Sequence, residues 1–101
     1  MTTVLVRTSS RAEKRLMAEF PNRTVHFGSK SGSIYIDHGD DDVKAAWLAR
    51  HEPRVNWKDY DSTGALARWL LWERPTLREA MQELNMKQRT WRFKLTRRRV
   101  K

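Results

Sequence analysis

The chain has 101 residues, no cysteine, and a formal net charge of +9. A chain this short builds one domain at most, and the missing thiols exclude disulfides and thiolate metal sites. No apolar run approaches the ~18–20 residues of a membrane span, and the start, MTTVLVRTSSR, lacks the apolar stretch of a signal peptide. The expectation is a soluble protein made in a cytosol. The charge is unevenly placed. Residues 1–86 hold 13 Lys/Arg against 12 Asp/Glu, whereas residues 87–101 hold eight Lys/Arg and no acid. The expected division is a nearly neutral compact domain over 1–86, followed by a basic strand and tail over 87–101. Such a like-charged block seeks a polyanion or an acidic protein face.

Thr2 to Thr8 (TTVLVRT) is rich in β-branched residues and reads as a strand. Ser10 to Phe20 fits two structures. Ser10 and Glu13 have capping-box spacing, with Ala12, Leu16 and Phe20 on one helical face. Alternatively, Leu16, Ala18 and Phe20 alternate with Arg15, Met17 and Glu19 as in a strand. The turn Pro21-Asn22 and a return strand over Thr24–Phe27 would then complete a hairpin. GSKSGS at residues 28–33 reads as a loop, and Ser33 to Asp37 as a short strand ended by Gly39.

Asp40-Asp41-Asp42 opens a helix, where acids suit the macrodipole and one can cap free N–H groups. That helix runs to about His51, with Val43, Ala46, Trp47 and Arg50 on one face, and Pro53 stops it. A connector carrying Trp57 follows. The next helix starts at Ser62 or Thr63 and is apolar nearly all round to Glu73, so it is expected to be buried. Pro75 breaks the helix. Thr76 and Glu79 form the capping box of a further helix, with Leu77, Ala80, Met81 and Leu84 on one stripe and Glu83–Lys87 as an i, i+4 pair.

In Thr90 to Thr96 (TWRFKLT), Trp91, Phe93 and Leu95 alternate with Arg92 and Lys94. Period two predicts a strand with one apolar and one basic face. It would close the N-terminal sheet or add to a neighbour's sheet edge. The expected fold is α+β: a small antiparallel sheet packed against two to three short helices, with a basic C-terminal strand and tail. Trp47, Trp57, Leu66, Trp69, Leu70, Trp72, Leu77 and Met81 are the expected core, because aromatics bury much area in a small domain.

No motif places a nucleophile beside a base, so no enzyme and no cofactor are expected. His26, His38 and His51 have no diagnostic ligand spacing, and no metal is expected. DHGDDD lacks the order of a calcium loop, and GSKSGS lacks the Walker pattern. A helix start and a turn explain them. The candidate binding set is basic: Arg89, Arg92, Lys94, Arg97, Arg98, Arg99 and Lys101, with Trp91 able to stack on a base or to pack inward. Nucleic acid or an acidic protein face would be its partner.

An ordered pattern runs through the chain: Phe27-Gly28-x-Lys30, Tyr35-x-x-His38-x-Asp40, Lys44, Arg50-His51, Trp57, Thr63-Gly64-Ala65, Arg68-Trp69-x-Leu71-Trp72, then Pro75-Thr76-Leu77. Over roughly residues 14–80 it resembles a family of small basic proteins of large nucleocytoplasmic DNA viruses, the chlorella-virus, marseillevirus and mimivirus relatives. The family's YxxRH tyrosine is Trp47 here, its DYT is Ile34-Tyr35-Ile36, and a serine after PTL is Ala80. The resemblance favours the hairpin over residues 10–20. It also implies a virion role, as a minor capsid or internal capsid-associated protein docking between larger structural proteins. The alternative is a nucleic-acid-binding protein using the basic C-terminus. A small enzyme or metal-dependent factor using the three histidines is a third, weaker option.

Overall fold

A computed structural model describes residues 2–30 and 32–96. Four strands and four helices run in the order β1 (Thr2–Thr8), β2 (Lys14–Phe20), β3 (Arg23–Ser29), α1 (Tyr35–His38), α2 (Asp41–His51), α3 (Thr63–Leu71), α4 (Leu77–Lys87) and β4 (Trp91–Leu95). The class is α+β, a four-stranded sheet of order β3-β2-β1-β4 with helices packed on one face.

The ambiguous stretch after Ser10 is a hairpin. β2 pairs antiparallel with β1 (Val6 opposite Ala18) and with β3 (Ala18 opposite Val25). Period-two burial decides the matter. Leu16, Ala18 and Phe20 all reach the core, together with Val4 and Val6 of β1 and Val25 and Phe27 of β3. A helix over 10–20 would have left the apolar faces of β1 and β3 without a central strand between them.

The sheet is mixed, not purely antiparallel as expected. β4 runs parallel to β1, with Val4 opposite Phe93 and Val6 opposite Leu95. The cause is topological. Three helices of eight or more residues lie between β3 and β4, so the chain has room for a long crossover and returns along β1 in the same direction. β4 therefore closes the chain's own sheet, and Phe93, 2% exposed, belongs to the core.

The strand expected over Ser33–Asp37 is instead the short helix α1. Local closing contacts outweigh the alternation of Ile34 and Ile36. The Asp37 carboxylate turns back to accept the Ile34 N–H at 3.2 Å, and Gly39, at φ +63°, donates its N–H to the Tyr35 carbonyl at 2.8 Å. Only a residue free to adopt the left-handed region closes a helix in this way without strain.

The other helices begin where the capping residues stand. Asp40 accepts from the N–H groups of Asp42 (2.9 Å) and Val43 (3.3 Å), Ser62 from Ala65 and Thr76 from Glu79. Each satisfies N–H groups that the first turn leaves free. α2 ends at His51 as expected, but Pro53 does not end helical structure there. It falls inside a 3-10 turn, Glu52–Arg54, near whose start a missing N–H costs nothing. α3 is the buried helix, with Ala65, Leu66, Ala67, Leu70 and Leu71 all inside.

Of the expected core, Leu66, Leu70, Trp72 and Met81 are buried, and Trp47, Trp69 and Leu77 pack against it partly covered. Trp57 is different: it is half buried, against Trp47 and Arg68. It sits on the connector before α3, at the rim of the fold, where one side stays open. Among the described residues no helix is long and apolar enough to cross a membrane.

Candidate functional site

Two regions concentrate the side chains that sequence singled out. The first is an aromatic and ionic column between α2 and α3. The Trp47 ring lies 4.8 Å from that of Trp72 and 10° from parallel, 4.1 Å from His51, and 6.1 Å from Trp57. His38 meets Trp72 edge-on at 5.5 Å. The Trp69 indole donates to the Trp57 carbonyl at 2.7 Å, which gives its one polar atom a partner.

Cations fill the gaps between these rings. Arg68 lies 4.1 Å over Trp69 and pairs with Glu73. Lys44 lies 4.9 Å over Tyr35 and donates to the Glu73 carbonyl at 2.8 Å. Lys87 lies 4.5 Å over Trp69. Such contacts gain from the ring quadrupole when water is partly excluded. Asp41 accepts the phenolic proton of Tyr35 at 2.6 Å, which holds that hydroxyl above the usual tyrosine range. Arg74, in the link before α4, holds the carboxyl of Glu83 on α4 below its ordinary range.

Half of the twenty residues of the ordered pattern stand in this column or cap an element beside it. Tyr35, His38, Lys44, His51, Trp57, Arg68, Trp69 and Trp72 touch one another, and Asp40 and Thr76 start helices. The pattern thus encodes how α2 is fastened to the body. The three histidines are engaged separately. His26 shares a 2.7 Å hydrogen bond with Ser9, His38 Nδ1 accepts from Asp40 N–H, and His51 Nδ1 meets the Trp47 carbonyl. Among the described residues no group of three or more His, Asp or Glu is placed to hold a metal.

The second region is the face of the sheet turned away from the helices. Alternation puts Thr3, Leu5 and Arg7 of β1 there, with Arg92 opposite Thr3 and Lys94 opposite Leu5. Arg92 and Lys94 are exposed, and Leu5 is 38% exposed. Glu19, on the same face, pairs with Arg7. Met17 is nonetheless buried, flanked in register by Arg7 and His26.

Within the basic set, the structure sends the members different ways. Trp91 points to the helix side, where its ring meets Phe20 edge-on at 5.0 Å. It stands on the opposite face from Arg92 and Lys94, so it does not share a surface with them. Arg89 is exposed in the link between α4 and β4. Arg97, Arg98, Arg99 and Lys101 lie outside the described residues.

Two further residues matter that the sequence pattern did not flag. Asn85 donates to the Phe93 carbonyl at 2.9 Å and accepts the Phe93 N–H at 2.7 Å. Gln88 does the same for Trp91, at 2.6 and 2.8 Å. Side-chain amides carry one donor and one acceptor in the geometry of a peptide group. The pair therefore imitates a neighbouring strand along the outer edge of β4 and seals it at 91 and 93. The strand-addition role open to this segment in sequence is closed at those two positions. The available signal was two amide side chains three apart at the end of an amphipathic helix, just before a strand.

Replacing Asn85 with alanine should expose both Phe93 backbone groups and cost about 1–3 kcal/mol. It should also increase self-association, since an unpaired edge is a template for another chain. Urea melts with light scattering would check this, and an unchanged midpoint with no added scattering would show that the seal contributes nothing.

Over residues 4–51, from β1 to the end of α2, the chain is similar to a family of unknown function, DUF5754. No curated protein and no solved structure matches it.

Proposed function

We propose that this chain is a non-catalytic structural component of the particle of a large DNA virus, a minor protein docked between larger structural proteins. The observation that carries the reading is α2. None of its eleven residues is fully buried, and Val43 is 44% exposed beside the exposed Ala45, Ala46 and Ala49. Yet the aromatic column fixes its position on the body. A helix held rigidly but buried little has a face to offer, and its small side chains let a partner's backbone come close. The partner is a larger structural protein of the particle. The motif resemblance supplies the viral setting, and the protein is made in the host cytosol and found in the virion.

Quantitative mass spectrometry of purified particles tests this. The chain should be present in a fixed ratio to the main coat protein, and the exposed substitution Ala46→Glu should lower that ratio while leaving the melting temperature within about 2 °C. Particles lacking the chain, from cells that contain it, would remove the reading.

A second reading, a nucleic-acid-binding protein, is favoured by a separate observation: the exposure of Arg92 and Lys94 on the sheet face that, among the described residues, lies opposite the helices.

A further inference from the structure

We infer that the helix-free face of the sheet, centred on Arg92 and Lys94, is a docking surface for the phosphodiester backbone of nucleic acid. This names the site behind the second reading above and rests on it, but it does not depend on incorporation into particles. Sequence alone spread such a contact over Arg89, Arg92, Lys94, Arg97, Arg98, Arg99 and Lys101, with Trp91 able to stack on a base. The fold moves the emphasis.

Charge is the first argument. Across β1 and β4 this face carries Arg7, Arg92 and Lys94 and no acid. The nearest carboxylate, Glu19 on β2, is paired with Arg7. That leaves Arg92 and Lys94, two residues apart on one strand and pointing the same way, as exposed cations in a row. Arg89 continues the basic run just before the strand. A guanidinium suits the planar, two-pronged recognition of phosphate, and an ammonium adds a point charge.

Backbone chemistry is the second argument, and it selects the partner class. A protein could use an edge strand by adding a strand of its own. Asn85 and Gln88 have already taken the outward N–H and C=O groups of Phe93 and Trp91. A protein docking flat on the face would need an apolar centre, and the only large exposed apolar side chain in the β1–β4 part of the face is Leu5. What β4 presents there is charge, with its pairing groups taken at 91 and 93 and without much apolar area. A phosphate backbone needs no more than that.

Trp91 sets the limit of the interaction. Its ring packs against Phe20 on the other side of the sheet. Without an aromatic platform on the binding face, bases have nothing to stack on, so binding should be read through phosphates and show little sequence preference.

Fluorescence anisotropy with a labelled oligonucleotide of mixed sequence, titrated at several salt concentrations, tests the site in the full chain. The parent should bind, with affinity falling steeply as salt rises. The double substitution Arg92→Ala and Lys94→Ala should weaken binding roughly 10- to 100-fold at low salt and reduce the salt slope by about two, one for each phosphate that the variant no longer neutralises. Both side chains are exposed, so the thermal melt should stay near the parent's and exclude misfolding as the cause. A companion with Arg97, Arg98 and Arg99 changed to serine should keep the part of the slope that belongs to the sheet face. If the parent does not bind at all, the nucleic-acid reading falls. If the parent binds and the Arg92/Lys94 variant matches it while the serine variant loses everything, that reading survives and the sheet face is wrong.

Discussion

Phe93→Ala is expected to cost about 3–5 kcal/mol, the range for emptying a buried phenylalanine site. The side chain is 2% exposed, stands opposite Val4 in the parallel ladder, and meets Phe20 edge-on at 6.0 Å. Its removal leaves a void at the meeting point of β1, β2, β4 and α4, where rigid strands cannot easily close in. For a small domain stabilised by about 5–15 kcal/mol in total, this is a large share. Urea melts should show a lower midpoint with an unchanged slope. Lys94→Ala, one residue on, should stay within about 0.5 kcal/mol, because its side chain lies on the uncovered face. The contrast between adjacent residues is the test. Equal effects at 93 and 94 would mean that β4 does not pack as described. The same logic bears on experiments aimed at the basic C-terminus. A chain shortened before Trp91 would lose a core strand together with its charges, so loss of binding there would say nothing about charge.

How much of this was legible in sequence depends on how local the deciding contacts are. Helix starts were readable because a cap is a contact over two or three residues: Asp40, Ser62 and Thr76 each stand where their oxygen meets the next turn. The buried character of α3 was readable from apolar residues on every side. The period-two pattern of β4 gave its strand and both of its faces. Its place in the sheet was not readable, because the pairing with β1 joins residues about 90 positions apart, as in Thr2 opposite Trp91. The parallel direction likewise follows from where three helices deliver the chain. α1 was missed for the opposite reason. Ile34 and Ile36 alternate as in a strand, and only the turn-back of Asp37 and the positive φ of Gly39 reveal a helix. In the candidate site, the tryptophans were visible as core material, but the cations threaded among them were not. Nothing in sequence set Arg68 beside Glu73 and Trp69, or Lys44 beside Tyr35. The two amides sealing β4 went unread because their spacing at a helix end before a strand does not itself say that a strand edge lies within reach.

Gly28 links the resemblance to the packing, and its replacement should be costly for two separable reasons. The residue has φ +82°, a conformation that an L side chain adopts only under strain, at about 1–2 kcal/mol. A Cβ added there would also stand 2.5 Å from Leu71 Cδ1 and 3.3 Å from Arg15 Cβ. Leu71 is fully buried on α3 and cannot swing clear without displacing its neighbours. Forcing such a contact adds about 1–3 kcal/mol, so Gly28→Ala is expected to cost about 2–5 kcal/mol. The two contributions can be told apart with Leu71→Ala, which alone should cost about 2–5 kcal/mol for the cavity it leaves. If collision matters, the double variant should be more stable than the sum of the two losses predicts, since the new methyl then occupies space that Leu71 has vacated. Strict additivity would mean that backbone conformation alone requires glycine at this position. In either outcome the experiment reads the contact between β3 and α3, which fixes the helical layer on the sheet and with it the position of the tryptophan column that carries α2.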